Sequence, residues 1–361
     1  MTERMSGPIL PVTPPPLVEP PLRIISSTSP VRIADFGGWT DTWFAEHGCV
    51  LSFAVTPCAE VQLRVYPRSD RPAAIIYAEN FGQRYAIDEI TSDYDRHPLL
   101  EAALDHMKIP RKWAIEIDLF SEIPVGCSTG TSAAVSVAML GALDRLTPGR
   151  FTPLEISAAA HHIETELLHQ QCGIQDQLAS AHGGICFIRM GRYPHAQVSQ
   201  LTLPESTLWE LERRLALVYV GHSHDSSKVH EQVIRELEGE GADSPRLVPL
   251  REMPEMARAA LVAGDFAALA EVMIRNTEAQ RRLHAGLIGP MHQQVIEVAR
   301  EYGAIGWKVN GAGGDGGSVT LLCGPVAAQK RQMLRVIAET LPKSQNIPIQ
   351  LSHHGLRVWE S

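Results

Sequence analysis

The sequence predicts an α+β fold, because its strand and helix segments are mixed without the regular alternation of a doubly wound sheet. Short valine-rich or alternating segments are typical of strands, and longer alanine- and leucine-rich segments are typical of helices. The length of 361 residues suggests two domains. We expect a proline-rich tail over 1–21, an N-terminal domain over 22–205 and a C-terminal domain over 206–361.

The first half of the chain carries strands and two helices. Strands are predicted over 22–32, over 113–120 and, as one or two strands, over 49–66. After Pro124, the apolar run Ser132–Leu146 predicts a helix that is buried on most faces. Thr152-Pro153 begins a second helix that continues to about Gln170, because proline favours the first helical position.

The second half carries the remaining elements. Strands are predicted over 185–190, 215–220 and 318–323, and helices over 255–283, 290–302 and 326–341. The first of these helices should break at Gly264-Asp265. Two short segments at the C-terminus, 347–351 and 356–359, predict a closing hairpin.

Composition excludes several classes of partner. The net charge of −9 does not attract nucleic acid or anionic membranes over the whole surface. No run of about 18 apolar residues predicts a transmembrane helix. The six cysteines form no C-x-x-C pair, so we expect reduced thiols and a cytoplasmic protein. The tail favours polyproline II or disorder, and an arm packing on a second subunit of a homodimer is the alternative.

Two glycine-rich loops are candidates for phosphate binding. The first, 124–132, lies between a strand and the buried helix, whose N-terminus offers free N–H groups to an anion. An ordinary capped turn is the alternative, and the Walker pattern is absent. The second, 311–317, contains G-x-G-x-x-G but precedes a strand rather than a helix, which excludes a dinucleotide fold. Its five glycines indicate close contact with a ligand or with the other domain.

A third segment places Arg32 beside the turn 35–41, which is rich in glycine and carboxylates. Alone it is compatible with a structural ion pair. Together the three segments resemble the GHMP kinase superfamily: Ser29–Ile33 with Thr40-Asp41 looks like motif 1, Pro124–Ala134 like motif 2, and Lys308–Gly317 like motif 3. Within it, GGWTDTWFAEHGCVLSFAV resembles the D-glycero-D-manno-heptose 7-phosphate kinases and the fucokinase kinase domain, and CGIQDQLAS resembles galactokinases.

The resemblance implies a fold and a set of site residues. The expected fold is a ribosomal protein S5 domain 2-like N-terminal domain and a ferredoxin-like C-terminal domain, with ATP and sugar meeting between them. Asp176 would orient or deprotonate the acceptor hydroxyl, and Arg32 would neutralise charge. Residues expected to hold ATP are Pro124, Gly126, Cys127, Ser128, Thr129, Gly130, Thr131, Ser132, Gly311, Ala312, Gly313 and Gly314.

Substrate and metal residues follow in the same way. Residues expected at the sugar are Gly37, Gly38, Trp39, Asp41, Gln175 and Gly313. Mg²⁺ would be bound by Glu164, Thr131 and Ser132. On an unbroken helix Glu164 and Asp176 would point about 120° apart, so the break at Gly173 must let Asp176 turn back.

The sequence departs from the usual motifs in three places. Ser128 stands where motif 2 carries glycine, Asp315 where motif 3 carries glycine, and Gly38-Trp39 where galactokinases have Glu-His. The implied activity is ATP-dependent phosphorylation of a sugar hydroxyl, in particular the anomeric one, on a heptose 7-phosphate or similar sugar. The alternatives are an L-fucose or other free hexose kinase and a non-catalytic sugar or nucleotide sensor. Asp41 and Gln175-Asp176-Gln177 argue against an isoprenoid kinase.

Overall fold

The computed structural model describes residues 19–146, 150–221 and 226–361, without the side chains of 226–230. The proline-rich tail predicted over 1–21 therefore lies almost wholly outside the described residues. The strands are β1 Arg23–Phe36, β2 Gly48–Pro67, β3 Ala74–Ala78, β4 Gln83–Ile87, β5 Trp113–Ser121, β6 Ile185–Arg192, β7 His195–Gln200, β8 Leu215–Tyr219, β9 Ala304–Val309, β10 Ser318–Cys323, β11 Gln345–Ile347 and β12 Arg357–Glu360.

The helices connect these strands at irregular intervals, so the predicted α+β class is confirmed. They are α1 Pro98–His106, α2 Thr131–Asp144, α3 Pro153–His162, α4 Gln175–His182, α5 Glu205–Arg214, α6 Ser226–Glu238, α7 Val248–Ala263, α8 Phe266–Leu283, α9 Pro290–Glu301 and α10 Ala327–Thr340. No helix in the described ranges is long and apolar enough to cross a membrane.

The N-terminal sheet has eight strands, in the order β12-β1-β2-β5-β3-β4, with β6 also paired to β2 and β7 to β6. Its β1–β2 pair is antiparallel along most of both strands. Helices α1, α2 and α3 pack on this sheet around a buried cluster that includes Ile25, Leu63, Val137 and Leu140. Helix α2 is buried on most faces, which confirms the prediction from its apolar run.

The C-terminal sheet has four antiparallel strands, in the order β11-β8-β10-β9. Helices α9 and α10 pack on it around Val218, Leu321 and Met333. Helices α7 and α8 join the two sheets, because Met253 and Met273 share one apolar cluster with residues of both. This shared core brings the N-terminal end of α2, strand β1 and the loop after β9 to one region.

The predicted C-terminal hairpin is wrong. Strand β11 pairs with β8 in the C-terminal sheet, whereas β12 pairs with β1 in the N-terminal sheet. The segment between them crosses from one sheet to the other and bonds on its way: the N–H of Thr56 donates to the carbonyl of Gln350 at 2.9 Å. Each short strand finds a longer strand at a sheet edge, which offers more ladder bonds than a short hairpin would. The division at 205/206 stays a prediction.

The predicted helix from Thr152 to about Gln170 begins as expected but ends early. Thr152 is the N-cap of a capping box with Glu155, and Pro153 is the first helical residue. The α-helix ends at His162 and continues as one π-helical turn, Ile163–Leu167. Such turns arise where one extra residue is accommodated in a helix, and they are frequent at functional sites.

Candidate active site

The first glycine-rich loop leads directly into α2 and alternates in backbone handedness. Gly126, Ser128 and Gly130 have φ of 79°, 59° and 71°, whereas the residues between them do not have positive φ. Such alternation turns successive N–H groups toward one side and forms a concave anion site. Helix α2 begins at Thr131, so its first free N–H groups and the positive end of its dipole face the same side.

This loop contains all the residues predicted to hold the phosphates from that segment, Pro124 to Ser132. Cys127 and Thr129 are buried, whereas Ser132 is exposed at the first turn of α2. The hydroxyls of Thr129 and Thr131 lie 3.3 Å apart. The geometry suits an anion, and which of these groups contact ATP stays a prediction.

Ser128 occupies the motif position that departs from glycine. Its φ of 59° lies in the left-handed region, which costs a non-glycine residue on the order of 1 kcal/mol. The serine therefore adopts the backbone conformation that a glycine would adopt freely, and the loop keeps this path at the expense of strain.

The loop after β9 packs against the first loop. A Cβ atom on Gly311 would lie 3.0 Å from the Ser128 carbonyl oxygen, and one on Gly317 would lie 2.7 Å from the Ser128 hydroxyl. The Ser318 hydroxyl donates to the carbonyl of Cys127 at 2.7 Å. Glycine at 311 and 317 thus permits the close approach of the two loops.

Other residues of this second loop face elsewhere. The N–H of Gly314 donates to the carbonyl of Leu287 at 3.0 Å, and a Cβ on Gly313 would overlap that same carbonyl. Ala312 packs against an apolar cluster that contains Trp39. Asp315 is exposed between buried glycines, so solvent screens its charge.

Arg32 and Asp176 form an ion pair with two hydrogen bonds below the first loop. Arg32 Nε donates to Asp176 Oδ1 at 2.7 Å, and Nη2 donates to Oδ2 at 3.2 Å. The third nitrogen, Nη1, donates to the Ser128 carbonyl at 2.5 Å. The Arg32 side chain is 5% exposed and that of Asp176 is 28% exposed, so the carboxylate is the accessible partner.

Arg32 stays charged in this setting. Burial lowers its pKa, but Asp176 and Asp35 outweigh that effect and raise the pKa above the ordinary value. Gly130 also lies against Asp176, since a Cβ there would be 3.1 Å from the carboxylate carbon. The arginine therefore joins the phosphate loop to the first turn of α4, where Asp176 is located.

Glu164 lies in the π-helical turn and is buried. Its Oε1 accepts a hydrogen bond from Gln177 Nε2 at 2.9 Å, which brings it next to α4 despite the angle expected on a continuous helix. The π turn and the end of the helix before Gln175 together resolve that angular problem. Burial is the main effect that raises the pKa of Glu164, to about 7, and Asp176 adds to it.

Asp41 is the second buried carboxylate. Its Oδ2 accepts from the Gln175 N–H at 3.0 Å, and its Oδ1 accepts from Gln175 Nε2 at 3.3 Å. Burial raises its pKa to about 6, although the bond from the Gln175 backbone opposes the shift. A Cβ at Gly173 would lie 2.1 Å from this carboxylate, so a side chain there would displace Asp41.

The neighbouring turn places its residues in different surroundings. The Gly37 N–H donates to Asn276 Oδ1 at 2.9 Å. A Cβ on Gly38 would lie 2.5 Å from Asp35 Oδ2 and 3.3 Å from Gln175 Nε2, so Gly38 borders the buried polar groups. Trp39 is 6% exposed and packs with Phe44 in an apolar cluster. Contacts of this turn with a sugar stay predictions.

Sequence reasoning assigned no role to several buried polar residues that frame the site. Asp35, Asn276, Gln280, Lys308 and Asn310 are all buried, and their hydrogen bonds tie β1 to α8 and to the loop after β9. The signal was present in part, because Asp35 follows Arg32 in the first motif and Lys308 opens the third. Burial of a lysine cannot be inferred from its neighbours in sequence.

Glu164 is the carboxylate predicted to bind Mg²⁺. In the described ranges, no three His, Cys, Asp or Glu residues are grouped as a metal cluster. Mg²⁺ commonly uses only one or two protein carboxylates and completes its shell with phosphate oxygens and water. Glu164 is such a buried carboxylate, and its use of Mg²⁺ together with the Thr131 and Ser132 hydroxyls stays a prediction.

Two sheets that bring a glycine-rich, anion-type loop against the Arg32–Asp176 pair suit the transfer of a phosphate group to a small molecule. The chain belongs to the GHMP kinase family: the GHMP kinases N-terminal domain matches residues 98–184, and the GHMP kinases C-terminal domain matches 257–337. It is therefore an ATP-dependent phosphotransferase, and the two-domain GHMP fold predicted from sequence is confirmed.

Similar proteins act on different acceptors. The chain is 25% identical to a mevalonate kinase of Pyrococcus abyssi over 94% of this chain and 98% of that protein. It is 22% identical to an L-fucokinase/L-fucose-1-P guanylyltransferase of Bacteroides fragilis, over 94% of this chain and 39% of that protein. A D-glycero-D-manno-heptose 1-phosphate kinase structure from Bacteriodes thetaiotaomicron has a TM-score of 0.71 at 20% identity, covering 93% and 98% of the chains.

Proposed function

We propose that this protein is an ATP-dependent sugar kinase that phosphorylates the anomeric hydroxyl of a heptose 7-phosphate or a similar sugar. One observation carries the proposal. Two adjacent residues connect the expected acceptor site with the expected catalytic pair. Gln175 donates hydrogen bonds to the buried Asp41, and Asp176 accepts a hydrogen bond from Arg32. A group for the acceptor and a group for the reacting oxygen are thereby fixed at the start of one helix.

Asp176 is positioned to take the proton of the acceptor hydroxyl. Arg32 binds the carboxylate through both oxygens, which fixes its orientation and leaves lone pairs toward the accessible side. In the transfer, the acceptor oxygen bonds to the γ-phosphorus, the bond from that phosphorus to the bridging oxygen breaks, ADP leaves with the electron pair, and the proton passes to Asp176. Arg32 also offsets the charge that spreads over the transferring group.

The loop 124–132 would bind the phosphates through backbone N–H groups and the N-terminus of α2. Glu164, with the Thr131 and Ser132 hydroxyls, would hold Mg²⁺, which supplies charge neutralisation on the phosphate oxygens when bound. Asp41, ionised above its pKa of about 6, would accept hydrogen bonds from sugar hydroxyls. Sugar phosphates and ATP are metabolites of the cytoplasm, and we propose that the protein is located in the cytoplasm.

A second candidate is mevalonate phosphorylation. It is favoured by the extent of the mevalonate kinase relationship, which spans nearly the whole of both chains, whereas the sequence match to the fucokinase is weaker. Against it stands the paired use of Asp41 and Gln175, which provides a buried carboxylate for a polyhydroxylated acceptor. L-Fucose and other free hexoses remain alternatives within the sugar class, and a sugar or nucleotide sensor would bind without turnover.

An acceptor panel tests the proposal. Purified protein with MgATP is assayed for ADP release with D-glycero-D-manno-heptose 7-phosphate, L-fucose, galactose, glucuronate and mevalonate. We expect kcat/KM for a sugar to exceed that for mevalonate at least tenfold, a difference of about 1.4 kcal/mol in transition-state binding. Faster turnover of mevalonate would establish the second candidate, and binding of a sugar without any turnover would establish the sensor.

A further inference from the structure

Lys308 and Asp35 form a buried ion pair beside the candidate catalytic pair. Their side chains are 1% and 2% exposed, and Lys308 Nζ lies 3.3 Å from Asp35 Oδ1. The lysine comes from β9 in the C-terminal sheet, and the aspartate comes from β1 in the N-terminal sheet. A buried charge without its partner is strongly destabilising, so each residue constrains the position of the other.

The Lys308–Asp35 pair fixes the backbone of Gly311 through two side chains, Asp35 and Gln280. The Gly311 N–H donates to Asp35 Oδ1 at 3.1 Å, and its carbonyl accepts from Gln280 Nε2 at 2.8 Å. Lys308 Nζ donates to Gln280 Oε1 at 3.0 Å as well as to Asp35. One ammonium group thus orients both side chains that fix the Gly311 peptide.

Gly311 in turn lies against the groups that serve the reaction. A Cβ there would be 3.3 Å from Arg32 Nη2 and 3.0 Å from the Ser128 carbonyl, the oxygen to which Arg32 also donates. Asp35 is close enough to Arg32 to raise its pKa together with Asp176. Arg32 is therefore attracted by Asp35 and Asp41 as well as by Asp176, and of these three carboxylates only Asp176 is partly exposed.

We propose that Lys308 is a positioning residue: it neutralises Asp35, so that the Arg32 guanidinium stays on Asp176 and on the phosphate loop. This inference rests on the proposed function for its turnover readout. Without the lysine, Asp35 competes with Asp176 for Arg32, and the Gly311 peptide loses the fixed orientation of its two partners. Both the phosphate loop and the accessible carboxylate are then displaced.

The test compares Lys308→Met with the double variant Lys308→Met/Asp35→Asn. For the single variant we expect kcat to fall about a hundredfold and the affinity for a non-hydrolysable ATP analogue to fall about tenfold, since charged hydrogen bonds at Arg32 are lost. Removing the competing carboxylate should restore at least about tenfold in kcat and threefold in affinity, because neighbouring mutations are coupled. A purely structural lysine predicts that the rescue is confined to the melting temperature, with kcat and nucleotide affinity per folded molecule near normal in both variants.

The matched control is Arg64→Met, which removes another poorly exposed cation that pairs with Glu116 and Asp118 within the N-terminal sheet. It should lower the melting temperature while leaving kcat and nucleotide affinity within about twofold. Where Lys308→Met does not yield folded protein, Lys308→Gln replaces it in the same cycle, because its amide still donates one hydrogen bond.

Rescue by Asp35→Asn in either measurement supports the proposal. Near-normal values for the single variant, a double variant no better than the single one, or an equal loss of kcat in Arg64→Met would overturn it. Nucleotide affinity is measured by calorimetry without an acceptor, so this arm decides the role of Lys308 even if no sugar is turned over. That last result would count against the proposed function alone.

Discussion

The two sides of the candidate cleft differ in how their carboxylates are balanced. Asp176 is paired with a guanidinium at 2.7 Å. Glu164 and Asp41, in contrast, receive hydrogen bonds from the uncharged amides of Gln177 and Gln175, and burial raises their pKa values to about 7 and 6. On the first side, the negative charge of Asp176 is balanced by the Arg32 guanidinium within the protein. The second gains most from a cation and from hydroxyl donors, which are what Mg²⁺ and a sugar supply.

Asp176→Asn removes the charge on the balanced side and should have the largest effect. We expect kcat to fall about a thousandfold, because the proton acceptor is lost, while ATP affinity changes less than about threefold. Steady-state kinetics and calorimetry measure the two quantities. Asp315→Asn, at an exposed acid in the second loop, is the control and should retain full turnover. Near-normal turnover in the Asp176 variant would exclude Asp176 as the base.

Gly130→Ala should lower kcat by about thirtyfold, because the new methyl group would lie 3.1 Å from the Asp176 carboxylate carbon at a residue with φ of 71°. Gly82→Ala is the matched control, since Gly82 has φ of 59° and no atom within 4 Å of the added Cβ. Both variants should lose about 1 kcal/mol of stability from the backbone. Equal activity in the two would show that contact with Asp176 does not matter.

Glu164→Gln sharpens the comparison through pH. Because the folded state raises the pKa of Glu164 to about 7, it binds more protons than the unfolded chain between about pH 4.5 and 7, so stability falls as pH rises through that window. Without Mg²⁺, the free energy of unfolding should drop by about 3 kcal/mol across it in the wild type and by clearly less in the variant. Urea unfolding at several pH values measures this.

Asp41→Asn tests the second carboxylate with a raised pKa. In the wild type, Asp41 should make the free energy of unfolding fall as pH rises from about 4 to 6, and this part of the slope should be missing in the variant. Added Mg²⁺ should flatten the wild-type profile and leave that of Glu164→Gln unchanged, because the cation favours the ionised form. An identical pH slope in wild type and Glu164→Gln would contradict the assignment of the raised pKa to Glu164.

Ser128→Gly should have the smallest effect. Glycine removes the left-handed strain of serine but adds freedom to the unfolded chain, so stability should change by less than about 1 kcal/mol. We expect kcat within about twofold, since the loop already follows the path that glycine would take. Steady-state kinetics measures kcat, and thermal unfolding measures the stability. A tenfold rise in kcat would mean that the serine restrains activity.

Sequence reasoning predicted the local features well. The buried helix α2, the helix start at Thr152-Pro153 and the break at Gly264-Asp265 depend on neighbouring residues, and the structure contains all three. The close packing of the second glycine loop was also indicated, because so many glycines are costly unless another backbone approaches. These signals lie within a few residues of the feature that they predict.

Features that depend on distant contacts could not be predicted. The Lys308–Asp35 pair joins residues far apart in the sequence, and its burial depends on the packing of two sheets. The π turn contains Glu164, which contacts Gln177 on α4, and the final strands join separate sheets because their edges are available. The positive φ of Ser128 contradicts its own preference, so only the surrounding loops explain it.

The position of the phosphate in the product tests the central claim most directly. The protein is incubated with MgATP and the best acceptor of the panel, and the product is examined by proton-coupled ³¹P NMR. We predict a phosphorus coupled to the single anomeric proton of a sugar, and loss of this signal in Asp176→Asn. A new phosphorus signal coupled to the two protons of a primary alcohol, beyond those of the nucleotides and of the acceptor's own phosphate, would contradict the account.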